Sequence, residues 1–330
     1  MRRREFITLL GGTAAAWPLT ALGKVARIAI VHPSHPVALL TGESPSPGIR
    51  ALFTELHRLG YIEGKNLLIE RYSYEGRAEH DPNLARDVVA SKPDLIIAVG
   101  DSVVLDFKTT TKTIPIVAIL GNPVEAGIVP SLARPSGNIT GVTTHVGLEE
   151  WDKRIQLLHE VVPRLTRLGA LLSKQARDQW PDAGRKATEE IGIAWIRPAL
   201  DHPIDDAEYR RVFAALVENH ADAIVVGQEA VNITNRKLIV DLAQQNRLPA
   251  IYPLKVFVEA GGLMSYGSDQ SQHGRSAAYI ADQILRGAKP SDIPFMQPTK
   301  FELVINLKTA KSLGLTVPAT LLVAADDVIE

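Results

Sequence analysis

The chain has 330 residues, of which 45% are hydrophobic and 22% are charged, and its formal net charge is −1. This balance excludes the basic surplus that binding to nucleic acid or to an anionic membrane requires. The sequence contains no cysteine, which excludes disulfides, thiolate nucleophiles and cysteine-ligated metals.

Residues 1–23 have the three-part plan of a secretory signal, with arginines at the start, an apolar stretch over residues 6–17 and small residues after it. The pair Arg3-Arg4, followed by Phe6, is typical of a twin-arginine signal, which exports folded proteins. The alternative is a frayed basic N-terminus. No later segment reaches the roughly 20 apolar residues of a membrane helix. The sequence therefore predicts a periplasmic protein, with its signal removed and without stable membrane insertion.

Strands and helices alternate over the first half of the mature chain. A β-branched apolar run at residues 25–31 predicts a strand, and the loop after it, His32-Pro33-Ser34-His35-Pro36, cannot continue as a helix. Further strands are predicted at residues 67–72, 94–99, 115–120 and 139–142, and helices over residues 49–59 and 84–90, after Gly100, and after Gly121, where Asn122 would be the cap and Pro123 the first helical residue.

The same alternation then restarts. A helix is predicted at residues 148–161, followed by strands at residues 168–172, 193–196, 223–226 and 250–252, with helices around residues 185–191, 209–219 and 232–245. Continuous apolar strands that alternate with amphipathic helices indicate a parallel sheet covered on both faces. Two such sets predict two lobes of one architecture.

The C-terminal third connects the predicted lobes. Short strands within residues 261–267 and 298–307 flank a helical stretch at residues 271–287, and neither strand has a local hairpin partner. A chain of roughly 300 mature residues also exceeds the usual size of one domain. We therefore expect these strands to cross between two bodies.

Polar residues follow the predicted strands at their carboxyl ends, where open parallel sheets bind ligands. If the two lobes face each other, these residues line one cleft. The candidate ligand-binding residues are His32, Ser34, Asp101, Ser102, Asn122, Thr143 and Thr144 in the first half, and Ser173, Gln228, Glu229, Tyr252, Tyr266 and Asp269 in the second.

Each candidate also has a purely structural interpretation. Asp101, Ser102 and Asn122 suit helix caps, and Tyr252 and Tyr266 suit either core packing or stacking on a ligand. His32 and His35 lack a third metal ligand, so no metal is expected. The acidic pairs Glu149-Glu150, Glu189-Glu190 and Asp326-Asp327 are interpreted as solvated surface.

Enzyme motifs are missing from the sequence. No G-x-G-x-x-G follows a strand, residues 60–66 have the wrong spacing for a phosphate loop, and Gly100-Asp101-Ser102 lacks the second glycine of a nucleophile elbow. We therefore expect neither catalysis nor a cofactor. An exported α/β enzyme is the weakest of the functional alternatives.

Several stretches resemble one family, the ABC-transporter substrate-binding proteins of the tryptophan/tyrosine type. They are residues 59–66 (LGYIEGKN), 134–142 (RPSGNITGV), 250–252 (AIY), 259–267 (EAGGLMSYG) and 297–315 (QPTKFELVINLKTAKSLGL). The resemblance covers nearly the whole chain, and its C-terminal motif is specific.

The resemblance implies a type I periplasmic-binding-protein fold: two Rossmann-like α/β lobes with parallel sheets, joined by three crossover segments. The implied lobes are residues 24–142 with 267–296, and residues 143–266 with 297–330. The implied function is that of the periplasmic solute-binding component of an ABC importer, which closes about a hinge on a small molecule such as an aromatic or other amino acid. The implied partners are this ligand and the transporter permease, and a monomer is expected.

The chain departs from the family at three places. Pro253-Leu254 stands where many relatives carry an acid and a bulky aromatic, Asp101-Ser102 replaces a small residue and threonine, and Asp269 adds an acid at the hinge exit. An added carboxylate favours a ligand with an amino group. A sensory module that reports ligand occupancy to a membrane signalling protein is the alternative function.

Overall fold

Our computed structural model describes residues 25–75, 83–144, 147–179 and 183–330. The predicted signal at residues 1–23 lies outside the described residues. Two separate sheets with helices on their faces form the structure, so the two-lobe α/β prediction is confirmed.

The first sheet has five parallel strands in the order β2-β1-β3-β4-β5. Their bounds are β1 Ala26–His32, β2 Leu67–Ser73, β3 Leu95–Val99, β4 Ile116–Leu120 and β5 Ile139–Thr143. The helices that follow the first three strands are α1 Pro47–Arg58, α2 Leu84–Ala90 and α3 Asp101–Thr110. Because the strands are apolar on both sides, separate hydrophobic clusters form on the two faces of the sheet.

The second sheet begins after helix α4, Glu149–Val161. Its first elements are β6 Arg167–Ser173, α5 Lys174–Gln179, α6 Arg185–Glu190, β7 Ala194–Ile196, β8 Ala199–Leu200 and α7 Asp206–Glu218. The next are β9 Ala223–Val226, α8 Ala230–Thr234, α9 Arg236–Gln245, β10 Ala250–Tyr252, α10 Lys255–Glu259 and β11 Met264–Ser268. Hydrophobic clusters again lie on both faces.

After β11 the chain returns to the first lobe and then leaves it again. Helix α11, Gln270–Leu285, packs against α1, and residues 293–296 run beside β5, where the Met296 amide donates to Gly141 O at 2.9 Å. The remaining elements, all in the second lobe, are β12 Phe301–Asn306, α12 Leu307–Ser312, α13 Ala319–Ala324 and β13 Asp327–Ile329. The sheet order is β13-β12-β11-β10-β9-β6-β7, and β12 is antiparallel to β11.

Some predicted elements differ from the structure. The helix expected after Gly121 is a series of turns, and the helix expected at residues 232–245 is divided at Asn235 into α8 and α9. Asp326 is exposed, as predicted, and it accepts a hydrogen bond from the Leu303 amide at 2.9 Å, whereas the half-exposed Asp327 pairs with Lys255 at 2.7 Å. In the described part of the chain, no helix is long and apolar enough to cross a bilayer.

Candidate ligand-binding cleft

In the first sheet the order of strands reverses between β1 and β3, and ligand crevices in open α/β sheets form at such a point. His32 is the last residue of β1, Ser34 lies in the loop that follows it, and Asp101 and Ser102 open α3 directly after β3. Pairing of Val31 with Ala98 places the ends of β1 and β3, and the segments that follow them, side by side. This edge of the first lobe is the first rim of the candidate cleft.

His32 organises its own loop. Its Nδ1 accepts hydrogen bonds from the amides of Ser34 at 3.1 Å and His35 at 2.9 Å, and the two imidazole rings lie 4.1 Å apart. Burial, and then the charge of His35, hold the pKa of His32 well below its ordinary value. The ring is therefore neutral, and its Nδ1 is already used. Among the described residues there is also no group of three or more side chains that could hold a metal ion.

Asp101 and Asn122 support the rim without capping a regular helix. The Gly121 amide donates to Asp101 at 3.0 Å, which ties the end of β3 to the end of β4, and Gly100 is the cap of α3. Asn122 accepts from the amides of Val124 at 3.1 Å and Glu125 at 3.3 Å, so it heads a turn where a helix was expected. Ser102 lies exposed in the first turn of α3.

Thr143 and Thr144 lie where the chain leaves the first sheet. Thr143 is 2% exposed, and its amide donates to Met296 O at 2.8 Å. The carbonyl of Thr144 accepts a hydrogen bond from the Ser268 hydroxyl. Two of the segments that cross between the lobes are therefore joined directly.

The second sheet reverses its strand order between β6 and β9, and this edge is the second rim of the cleft. Ser173 ends β6, and Gln228 and Glu229 follow β9. Both carboxylate oxygens of Glu229 accept from the Ser173 amide, at 3.1 and 3.3 Å. Burial raises the pKa of Glu229 above its ordinary value, although the Ser173 donors act against this.

A buried ion pair lies beneath the second rim. Arg154 and Glu150, both on α4, are 2% and 3% exposed and pair at 3.0 Å. Arg154 also donates to the Tyr266 carbonyl at 2.7 Å and contacts Gln228 at 3.5 Å. The prediction of a solvated Glu150 is therefore wrong. The signal that could have found the pair is its i, i+4 spacing on the apolar face of α4, beside Trp151, Ile155 and Leu158.

The two predicted tyrosines lie in different surroundings. Tyr252 is 1% exposed and its ring stacks on Phe257 at 4.9 Å, so its side chain is part of the core of the second lobe. Tyr266 is half-buried, and its ring stacks on Phe301 at 5.8 Å. Of the two rings, only that of Tyr266 retains an exposed surface.

Asp269 caps α11. Its carboxylate accepts from the Ser271 amide at 2.8 Å and lies near Arg275 at 3.4 Å and Lys300 at 3.5 Å. Burial acts to raise the pKa of Asp269, but the Ser271 amide and the two cations together hold that pKa below its ordinary value. The carboxylate is thus already paired within the chain.

Replacing Asp269 by alanine should therefore cost stability. At neutral pH we expect a loss of about 1 kcal/mol in the free energy of unfolding, as for other N-caps. A carboxylate with a depressed folded pKa stabilises above its unfolded pKa and loses this effect as the pH falls through the folded value, so the difference should shrink below pH 3.8. Urea denaturation of the parent and of Asp269→Ala at several pH values measures this difference in the free energy of unfolding. Equal stability of the two proteins at pH 7 would contradict the capping role.

The two rims lie near each other across the cleft. Burial, and then the positive charge of Arg236 at the start of α9, lower the pKa of His35 in the first-lobe loop. The charge of a second-lobe helix therefore acts on a first-lobe side chain. Arg236, like Arg154 and Glu150, was not among the predicted site residues, and an exposed arginine in a polar segment gives no sequence signal of its own.

Comparison of the chain with known protein families finds one that matches most of its length. The model of the ABC transporter substrate binding protein family matches residues 44–329. The chain belongs to this family. Membership assigns the substrate-binding protein a binding role, not a catalytic one, as a component of an ABC transporter.

Individual relatives of this substrate-binding protein are distant. The chain is 26% identical to the Tyrosine-binding protein of Clostridioides difficile over 263 residues, which are 78% of this chain and 73% of that one. It is 24% identical to a conserved domain protein from Vibrio cholerae, with a TM-score of 0.83 over 92% of this chain and 100% of that one. It is also 24% identical to the ABC domain from Streptococcus pneumonia in complex with L-Trp, with a TM-score of 0.82 over 92% and 99% of the two chains.

Proposed function

We propose that the chain is the solute-binding component of an ABC importer and that it binds an amino acid, aromatic or other, between its two lobes. One observation carries the proposal. Each sheet ends in a polar rim at its own strand-order reversal, and the two rims are close enough for Arg236 to affect His35. The names of the relatives support the choice of ligand, because one is a tyrosine-binding protein and another was crystallised with L-Trp.

The proposed contacts come from both rims. From the first lobe we propose His32, Ser34, Asp101, Ser102, Asn122, Thr143 and Thr144, and from the second Ser173, Gln228, Glu229 and Tyr266. The side chains of Tyr252 and Asp269 act indirectly, because the first packs in the core and the second caps α11. We propose lobe boundaries near residues 142/143, 266/267 and 296/297.

Binding is proposed to close the lobes about the three crossing segments. A ligand that contacts both rims binds the closed form better than the open form, and this difference in affinity shifts the population toward closure. The hydrogen bond from Ser268 to Thr144 keeps two of the segments together, so we expect them to move as one hinge. We further propose that the mature protein is a periplasmic monomer, exported by its twin-arginine signal and delivering its ligand to a permease.

Isothermal titration calorimetry of the mature chain against the common L-amino acids tests this proposal. We expect saturable binding of at least one of them, with L-tryptophan and L-tyrosine the first to be tested, and recovery of the ligand chemically unchanged. A folded protein that binds none of them would overturn the proposed ligand class. Turnover of the ligand would contradict the binding role.

A further inference from the structure

Two histidines lie side by side at the first rim, where the chain leaves β1. The imidazole rings of His32 and His35 are 4.1 Å apart, with an angle of 62° between their planes. His32 is 8% exposed and His35 is half-buried. Two positive charges at this separation, largely removed from water, repel each other. The loop therefore disfavours the state in which both rings are protonated.

The hydrogen bonds of His32 also oppose protonation of its ring. Nδ1 accepts from the amides of Ser34 and His35, so the proton of the neutral ring is on Nε2. A second proton can bind only at Nδ1, where it would displace both amides. Because these two bonds hold the loop in its shape, protonation of His32 reshapes the first rim at Ser34, one of the proposed ligand contacts.

The second lobe adds a positive charge to this site. Burial, and then Arg236 at the start of α9, lower the pKa of His35, while burial and then His35 lower the pKa of His32. In the proposed open form Arg236 moves away and water reaches the loop, so both pKa values rise toward the ordinary 6.5. Closure of the lobes therefore expels any proton that either ring has bound.

No described carboxylate offsets these effects. The loop lies between the ends of β2 and β3, because the Tyr74 amide donates to the His32 carbonyl at 3.1 Å and a Cβ atom on Gly100 would lie 3.3 Å from Pro33. Besides Arg236, the titratable side chains at these ends and on the second rim are Tyr74, Glu75, Asp101, Glu229 and Lys237. None of them contributes to the pKa of either histidine.

We propose that the lobes close on a solute only while His32 and His35 are both neutral, so that the protein holds its solute at neutral pH and releases it in acidic surroundings. The inference rests on the proposed function and adds a regulation of it by pH. The sign follows from linkage. A base whose pKa is lower in the closed form than in the open form weakens closure as the pH falls below its open-form pKa, and has no effect above that value.

Calorimetry with L-tryptophan and L-tyrosine at about pH 7.5 and about pH 5.5 tests this, because neither ligand changes its charge in that range. One proton expelled from a ring with the ordinary pKa of 6.5 predicts an affinity about 10-fold lower at the acidic pH. We expect His35→Gln to reduce this loss to within about 3-fold and Arg236→Gln to reduce it less, since each removes a charge from the site. The control His57→Gln, which changes an exposed histidine on α1, should keep the full loss.

Nuclear magnetic resonance of the imidazole nitrogens in the ligand-free parent gives a readout that does not depend on a ligand. We expect the His32 proton on Nε2 and a titration midpoint below 6.5. A proton on Nδ1, or a midpoint at or above 6.5, would overturn the inference.

The binding outcomes separate the two proposals. If the affinity of the parent is equal at the two pH values, if His35→Gln keeps the full loss, or if circular dichroism shows that the loss accompanies unfolding, the pH regulation is overturned while the binding function stands. If the folded parent binds neither probe at either pH, the choice of aromatic amino acids and the inference built on it both fail.

Discussion

Replacing Arg154 by methionine is expected to lower the free energy of unfolding by about 3–5 kcal/mol, because it removes the cation that pairs with the buried carboxylate of Glu150. The substitution also removes the donor to the Tyr266 carbonyl on β11, at 2.7 Å in the parent. Both effects occur directly beneath the second rim, so we also expect weaker ligand binding. Urea denaturation followed by circular dichroism measures the stability change.

Two further variants test whether the loss of stability comes from the buried Arg154–Glu150 pair. Lys153→Met changes the exposed neighbour on the same helix and should leave stability nearly unchanged. Adding Glu150→Gln to Arg154→Met removes the buried negative charge as well and should recover part of the loss. If Arg154→Met is as stable as Lys153→Met, the buried pair does not support the rim as described.

Replacing Gly274 by alanine should destabilise the contact that holds α11 to the first lobe. A Cβ atom at residue 274 would lie 2.0 Å from the Gly48 carbonyl oxygen and 2.8 Å from the Leu52 amide nitrogen, both on α1. Backbone atoms cannot yield as a side chain can, so the two helices must separate. We expect a loss of about 1–3 kcal/mol or more.

In a helix interior, alanine normally stabilises the helix by up to about 1 kcal/mol relative to glycine. A loss of stability in Gly274→Ala would therefore be evidence of the close contact between the two helices. A suitable control is Gly42→Ala, whose Cβ atom would meet Phe53 at an ordinary 3.6 Å. Thermal denaturation of the two variants measures the difference. A stabilised Gly274→Ala would contradict the close packing of α1 on α11.

Much of the fold could be predicted from the sequence because its strands are buried on both sides. Runs such as residues 95–99 and 223–226 are continuously apolar, and helices with one apolar face lie between such runs. The elements that were missed depend on tertiary contacts. Strand β8 has only two residues and exists because it pairs with β6, and β13 exists because it pairs with β12.

The site was less predictable than the fold. Position at a strand end located His32, Asp101, Ser173 and Glu229, but it could not distinguish a paired carboxylate from an unpaired one. By its position in the sequence, Asp269 is predicted to be available to a ligand, but in the folded chain its carboxylate lies near Arg275 and Lys300. Tyr252 also lies at a strand end and was therefore included among the candidates. Only the packing of the folded chain shows that its ring stacks on Phe257 in the core.

The most direct test of the account is a crystal structure of the mature protein with the tightest ligand of the calorimetric panel. We expect ligand density between the two rims, in contact with Ser34 or Asp101 on one side and with Glu229 on the other. Density confined to one lobe's outer surface, such as the cavity of about 280 Å³ between α1 and β2, would contradict binding between the lobes.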